Sequence, residues 1–328
     1  MKYDVLSLGP VRMDCYLHLP EDEITEVCSM DERRCMIQMG FGEKIVVKGM
    51  EFAIGGNAGN NAVGMSRLGA KVALIGPIGD SFSDGQVMEV LKKEGVETKY
   101  MDVRPGEKGF GVIINYQGER TILSYYSQTK CNWPDDAQLE ADWIYLTSMG
   151  EGYEDFYARA VEWAKTKGVR IGFNPGTRQI KAGLAHLRYA YEAAEVIFVN
   201  KEEAEEILGK EPGSTEIKDL LTALSGIGPK VAIITDGLNG TFAYDREKFR
   251  HMPIVPAAVV ERTGAGDAFG SGFLAAYIQG KSLDAALKWG TVNSASVLGF
   301  VGPQAGLLNT PEMEKWLDKA RDINPGEI

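Results

Sequence analysis

The 328-residue chain has no apolar run of about 18 residues, which excludes a membrane-spanning helix. It has four cysteines, Cys15, Cys28, Cys35 and Cys131, none in C-x-x-C spacing. That argues against a zinc site and leads us to expect reduced thiols in a cytoplasmic protein. Its three histidines, His18, His186 and His251, are scattered. They support neither a histidine-based metal site nor a Ser-His-Asp triad, and each reads as a surface or structural residue. Positive charge is in deficit, with 35 Lys and Arg against 46 Asp and Glu and a net charge of -11. This argues against nucleic acid or an anionic membrane as the main partner, while leaving room for a locally positive site. There is no internal repeat and no low-complexity linker. The opening residues read as a strand running into a turn, not as a signal peptide.

Two familiar nucleotide signatures are missing as well. No G-x-G-x-x-G stretch opens a βαβ unit, so a dinucleotide fold is disfavoured. Gly280-Lys281-Ser282 resembles the end of a Walker loop, but Ala275 occupies the first glycine position and the segment lies within helical pattern. Gly280 reads as a helix end and Ser282 as the cap of the next helix.

What is present is a rhythm. From residue 140 onward strands and helices alternate. The pattern predicts strands at Trp143–Thr147, Val169–Phe173, Val196–Val199 and Val231–Thr235. It predicts helices at Tyr153–Lys167, Lys201–Leu208, Thr215–Leu224, Gly264–Ile278, Ser282–Leu298 and Thr310–Ala320. A hairpin joins Thr241–Tyr244 to Phe249–Met252. Upstream lie strands at Tyr3–Leu8 and Lys71–Ile75, a helix reaching Gly69 and another at Asp84–Glu94. Such alternation implies a parallel sheet covered by helices on both faces. The β-rich pieces at 12–50 and 98–126 break the rhythm. Lys44–Val47, Thr98–Val103 and a hairpin turning at Gln117-Gly118 are their clearest strand signals. They suit a small sheet standing over the ligand crevice as a lid, inserted in one domain spanning 1–328.

One stretch carries most of the chemistry: Glu261-Arg262-Thr263-Gly264-Ala265-Gly266-Asp267-Ala268-Phe269. A glycine turn feeding a helix leaves backbone N–H groups unpaired, and the helix dipole makes them an anion site. Asp267 would repel an anion there, unless it serves to take a proton from a hydroxyl that attacks phosphorus. A plain helix cap is the alternative. Open α/β sheets bind ligands at the carboxyl ends of their strands, and other polar clusters fall at such ends. Gly55-Gly56-Asn57-Ala58-Gly59-Asn60-Asn61 offers amides for hydroxyls, or is a loop and cap. Asn200 with Glu203 reads as a capping box or as a means of organising Mg²⁺ and its waters. Thr235-Asp236-Gly237-Leu238-Asn239-Gly240 could cradle a nucleotide or be a turn. Arg178, after Asn174-Pro175-Gly176, could meet a phosphate or point to solvent.

Together these residues resemble the ribokinase-like (PfkB) carbohydrate kinase family. Arg262-Thr263-Gly264-Ala265-Gly266-Asp267-Ala268-Phe269 is similar to its C-terminal signature. Gly55-Gly56-Asn57, Leu68-Gly69-Ala70 and Gly76-Pro77-Ile78-Gly79-Asp80 resemble its N-terminal one, and Asn200 with Glu203 its N-x-x-E motif. The matches run in family order from Gly9 to Gly306. The resemblance implies a ribokinase-like three-layer α/β/α sandwich with a mostly parallel central sheet and a small β-sheet lid. It implies an ATP-dependent phosphotransferase using Mg²⁺. Asp267 would be the base on a hydroxyl, usually a terminal CH₂OH, and the amides of Gly264, Ala265 and Gly266 the anion hole. Preorganised amides of this kind contribute roughly 3 kcal/mol each in a transition state. Asp14, Gly56, Asn57 and Asn60 would bind the sugar. Thr235, Gly237, Gly240, Asn200, Glu203 and, near adenine, Asn293 would serve the nucleotide, with Glu203 acting on Mg²⁺ through water. A homodimer through the lid is implied too.

Two departures from the family stand out. Relatives often carry Asp-Thr-Thr where this chain has Glu261-Arg262-Thr263, and there the acid and threonine help hold a monovalent cation. Glu261 and Thr263 are then the positions for K⁺, with Arg262 either replacing the cation or pointing to solvent. Asn57 replaces a lysine common in ribokinase-type proteins, which disfavours ribose. A sugar or sugar-acid kinase, a nucleoside kinase with lid aromatics such as Phe41, Phe110, Tyr125 or Tyr126 around a base, and a silent sugar-binding regulator are the readings carried forward.

Overall fold

The computed structural model describes residues 2–22, 24–28, 35–117, 119–126 and 130–328, with Tyr126 described by its backbone alone. Its strands are β1 (Lys2–Leu8), β2 (Arg12–His18), β3 (Thr25–Cys28), β4 (Cys35–Gln38), β5 (Gly49–Gly55), β6 (Val72–Ile75), β7 (Pro77–Ile78), β8 (Asp102–Val103), β9 (Gly109–Tyr116), β10 (Glu119–Tyr126), β11 (Glu140–Thr147), β12 (Arg170–Asn174), β13 (Val196–Asn200), β14 (Val231–Thr235), β15 (Thr241–Tyr244), β16 (Phe249–Met252) and β17 (Gly326–Glu327). Its helices are α1 (Asn57–Arg67), α2 (Phe82–Lys93), α3 (Glu154–Lys167), α4 (Thr177–Ala182), α5 (Leu184–Ala193), α6 (Lys201–Ile207), α7 (Ile217–Ile227), α8 (Ala265–Ile278), α9 (Leu283–Val297) and α10 (Thr310–Lys319).

Nine strands form the main sheet in the order β17-β16-β15-β14-β13-β12-β11-β1-β6. From β6 to β14 every neighbouring pair is parallel, and β15 to β17 extend the sheet antiparallel. Alternate strand residues point to opposite faces, and two cores result. Val5, Trp143, Tyr145, Val196 and Phe198 pack with α1, α2, α8, α9 and α10 on one face. Leu6, Ile144, Leu146, Ile197 and Val199 pack with α3, α5, α6 and α7 on the other. This is the expected α/β/α sandwich. No described helix is long and apolar enough to cross a membrane.

A second sheet of four strands, ordered β10-β9-β2-β5, places Asp14 opposite Gly111 and Ala53. Its make-up differs from expectation in three respects. Lys44–Val47 forms no strand; Ile45 and Val47 instead pack beneath a small cluster with Leu19, Ile24, Ile114 and Tyr116. Gly49–Gly55, which spans the end of the β-rich piece 12–50 and the start of the Gly55–Asn61 cluster with no strand of its own expected, is the strand that pairs with β2. Residues 98–103 join the other part of the molecule, where β8 pairs with β7. The hairpin pairs Glu119 with Tyr116, and Gln117 takes a positive φ of 49°; Gly118 lies outside the described residues. Also unforeseen were α4 and α5, which share the left-handed Gly183 between them.

The reduced-thiol expectation needs correction. Cys28 and Cys35 face each other across the β3–β4 pair and form a disulfide, while Cys15 and Cys131 are buried free thiols. C-x-x-C spacing was the wrong test, because a ladder can join cysteines of greater sequence separation.

Candidate active site

The carboxyl ends of β12, β13 and β14 bring Asn174, Asn200 and Thr235 to the wall of one cavity of about 390 Å³. Arg12, Asp14, Arg120 and Ile122 of the small sheet border it from one side. Gly56, Asn57 and Asn60 at the start of α1, and Thr263 to Asp267 at the start of α8, complete it. Residues more than 250 positions apart in sequence thus share one space, Asp14 with Asp267 among them.

Gly264 caps α8 in the left-handed region (φ 79°), where a Cβ would lie 2.4 Å from the Pro303 side chain. The turn therefore requires glycine. It aims the first-turn N–H groups of α8, which have no intrahelical acceptor, outward.

Asp267 follows in that first turn and is buried. Burial pushes its carboxyl up to about 7, with the Glu203 carboxylate adding to the rise and a hydrogen bond from Asn60 opposing it. Asn60 Nδ2 donates to Asp267 Oδ2 at 2.8 Å. Gln304 Nε2 in turn donates to Asn60 Oδ1 at 3.0 Å. The loop carrying Gln304 is clamped by Arg67, which donates to the carbonyls of Gln304 and Leu307 at 2.9 Å each and pairs with Glu94 at 2.8 Å. Gln304 and Arg67 were not singled out from sequence. Gln304 lies in a glycine-rich tail with no helical or strand pattern, and nothing local ties it to Asn60.

Asp14 sits in a slot made by two glycines. A Cβ at Gly55 would stand 1.8 Å from its Oδ2, and one at Gly111 2.0 Å from its Oδ1. Arg12 Nε donates to Asp14 Oδ1 at 2.6 Å, and both side chains are buried. Burial raises the Asp14 carboxyl, and the Arg12 guanidinium works against that rise.

Asn200 and Glu203 do form the capping box of α6, with Glu203 N–H donating to Asn200 Oδ1 at 2.7 Å and Asn200 N–H to Glu203 Oε2 at 2.9 Å. Both also line the cavity, so the capping and site readings hold together. Burial pushes the Glu203 carboxyl up, against the pull of the Asn200 N–H. Asn174, passed over in the sequence, accepts from Thr147 Oγ1 at 3.3 Å and donates to the Phe198 carbonyl at 2.8 Å at the same wall.

Other expected residues lie elsewhere. Gly237 and Gly240 stand in the turn after β14, beyond the cavity wall, though Asp236 N–H donates to the Gly240 carbonyl at 2.8 Å just past Thr235. Asn293 is corrected outright. It is fully buried, its amide donates to the Ala268 carbonyl at 2.8 Å and Ser271 Oγ at 3.2 Å, and it accepts from Leu308 N–H at 3.0 Å. It braces α8 and has nothing left for a ligand. Arg178 pairs with Glu151 at 3.4 Å in a different depression. Glu261 is buried behind the wall, accepting from Thr263 Oγ1 and, at 2.9 Å, from Gly302 N–H. Arg262 does not pair with it and lines the cavity instead. Of the lid aromatics, Phe41 and Tyr125 are exposed, Phe110 packs on the main core, and the Tyr126 side chain is outside the described residues; Phe41, Phe110 and Tyr125 do not line the cavity.

A glycine-turned helix start, an acid of raised pKa and a lidded crevice at strand ends define a phosphotransferase fold of the ribokinase type. The chain belongs to the pfkB family of carbohydrate kinases, whose model matches residues 23–310. It is 25% identical over 315 residues to the nucleoside kinase of Methanothermobacter thermautotrophicus, covering 95% of this chain and 94% of that one. The structure of Arabidopsis thaliana ribokinase complexed with ribose and ATP superposes with a TM-score of 0.78 at 19% identity, covering 97% of this chain and 99% of that one. Burkholderia thailandensis nucleoside kinase in complex with inosine gives 0.76 at 19%, covering 98% and 99%.

Proposed function

We propose that the protein transfers the γ-phosphoryl group of ATP to a hydroxyl of a small sugar or sugar derivative. One observation carries this reading. Asp267, raised to about 7, shares a cavity with the Gly264–Gly266 turn and with Asp14 and Asn57. The acceptor hydroxyl, a terminal CH₂OH in this reading, gives its proton to Asp267 as its oxygen bonds to phosphorus. The bond from phosphorus to the bridging oxygen of ADP breaks, and ADP leaves with that electron pair. A pKa near neutrality suits a base that must be ionised yet accept a proton. The amides of Gly264, Ala265 and Gly266 stabilise the charge on the transferred group. Asp14, Gly56 and Asn57 hold the acceptor, while Asn60 acts mainly by orienting Asp267.

Asn200, Glu203 and Thr235 form the donor side, with the Gly237–Gly240 turn beyond them. Glu203 is suited to order water around Mg²⁺, since its Oε2 is used by the cap and its other oxygen remains for solvent. Glu261 is a buried carboxylate with no basic side chain paired to it among the described residues. A buried charge of this kind calls for a counter-ion, so we place K⁺ beside Glu261 and Thr263. The small sheet acts as the lid of a single domain. Its edge strands β5 and β10 expose Met50, Phe52, Leu123 and Tyr125, a surface fitted to a homodimer. The lid aromatics that the nucleoside alternative expected around a base, Phe41, Phe110 and Tyr125, do not line the cavity, whose apolar lining comes from Ile122, Phe198, Val199, Ile233 and Phe269.

The test is acceptor-dependent ADP release from MgATP across a panel of sugars, sugar derivatives and nucleosides. Turnover with a sugar-class acceptor supports the reading. Binding without any ADP release overturns it in favour of a regulator, and release with nucleosides alone favours the alternative.

A further inference from the structure

Three arginines border the cavity, and they are not equivalent. Arg12 is buried, and its charge is set against Asp14 through the 2.6 Å bond. Arg262 adjoins the Gly264 turn, on the side where phosphoryl transfer takes place. Arg120 projects from β10 on the same face as Ile122, two residues on, and both line the cavity. Among the described residues the Arg120 side chain makes no hydrogen bond or ion pair.

The acceptor end therefore holds two guanidiniums, Arg12 and Arg120, and two carboxylates, Asp14 and Asp267; Asp14 is set against Arg12 and Asp267 is bonded by Asn60, which leaves Arg120 with no carboxylate partner among the described residues, in a chain whose net charge is -11. A neutral polyol needs no such unpaired guanidinium; amides and one carboxylate suffice for hydroxyls. Here one of the two amides nearby, Asn60, is already committed to Asp267 and Gln304. A guanidinium offers a planar fork of donors that matches carboxylate and phosphate oxygens. Low-dielectric walls strengthen that attraction once the crevice closes.

We propose that the acceptor is an anionic sugar derivative, bearing a carboxylate or phosphate group remote from the reacting hydroxyl, and that Arg120 binds that group. Asp14, held by Arg12, takes the neighbouring hydroxyls. The inference rests on the kinase reading above and leaves its chemistry unchanged.

The experiment compares an aldose, its aldonic acid and its phosphate ester as acceptors with MgATP. It uses the wild type, Arg120→Gln and Arg120→Lys. In the wild type, kcat/KM for an anionic member should exceed that for the neutral aldose by on the order of 100-fold. Arg120→Gln should remove most of that advantage, change the neutral acceptor by less than about 3-fold and leave KM for MgATP unaltered. Arg120→Lys should keep part of it, since the charge stays and the fork is lost. The better of the acid and the ester identifies the anionic group. Equal use of neutral and anionic acceptors, an equal loss on both in Arg120→Gln, or a raised KM for MgATP overturns the inference. Calorimetric binding of the same three compounds, with and without Arg120→Gln, separates the two levels. Arg120-dependent anion binding without turnover sinks the kinase reading alone. Turnover of the neutral sugar alone sinks the anion preference and spares the kinase. No binding of either anionic compound also overturns it.

Discussion

Asn60 donates its side-chain amide to Asp267 Oδ2 at 2.8 Å, across 207 positions of sequence. The bond leaves the other carboxylate oxygen for the acceptor. It also stabilises the ionised form against burial, which otherwise drives the carboxyl up. Gln304 determines which way the Asn60 amide faces, because its N–H occupies the amide oxygen. Gln304→Leu should lower kcat by about 10-fold and move the acid limb of the rate profile upward, with little change in KM for MgATP. A pH profile that stays in place would show that Gln304 only packs the loop.

The raised carboxyl sets the pH dependence in two opposite ways. As a base, Asp267 must be ionised, so kcat/KM should climb with pH and level off above about 7. For stability the sign reverses. The folded state holds a proton that the unfolded chain, with an ordinary carboxyl near about 4, has released. This group's contribution is therefore full below about 4 and is lost as pH rises through about 7. Asp267→Asn should melt about 2–5 °C above wild type at pH 8 and close to it at pH 4. Calorimetric scans at the two pH values check this.

Gly111→Ala puts a methyl where the Asp14 carboxylate now lies. Overpacking of this kind costs about 1–3 kcal/mol. Because the atom displaced belongs to the acceptor site, KM for the acceptor should rise about 10-fold or more while KM for MgATP holds. An unchanged acceptor KM would remove Asp14 from the sugar site.

Glu261→Gln keeps the size of the side chain and removes its charge. If a monovalent cation sits beside Glu261 and Thr263, wild-type turnover should be several-fold faster in K⁺ than in a bulky organic cation, on the order of 10-fold, and the variant should lose that response. Equal rates in both salts would leave Glu261 as a brace for the Thr263 hydroxyl and Gly302 amide.

Much of the architecture was legible because it is written locally. The strand and helix alternation after residue 140, the left-handed turn at Gly264 and the cap at Asn200 all depend on near neighbours. The clusters carrying Asn57, Asn200 and Thr235 were placed at strand ends, Asp267 at a glycine-turned helix start and Asp14 by the family resemblance, and all five residues border one cavity. What escaped depends on distant partners. Gly49–Gly55 became a strand because β2 pairs with it, whereas the more apolar Lys44–Val47 found no ladder. Asn293 was placed near adenine by the family resemblance, but burial between α8 and Leu308 used up its amide. Gln304, Asn174 and Arg120 carry no motif and acquire meaning only from what the fold sets beside them.

The central claim is that Asp267 accepts the acceptor's proton. Its most direct test is the single-turnover rate of Asp267→Asn with saturating MgATP and the best acceptor of the panel, alongside calorimetric affinity for both. The account expects the rate to fall about 10²- to 10⁴-fold with both affinities within about 3-fold of wild type. A rate within about 10-fold of wild type at unchanged affinity would contradict it.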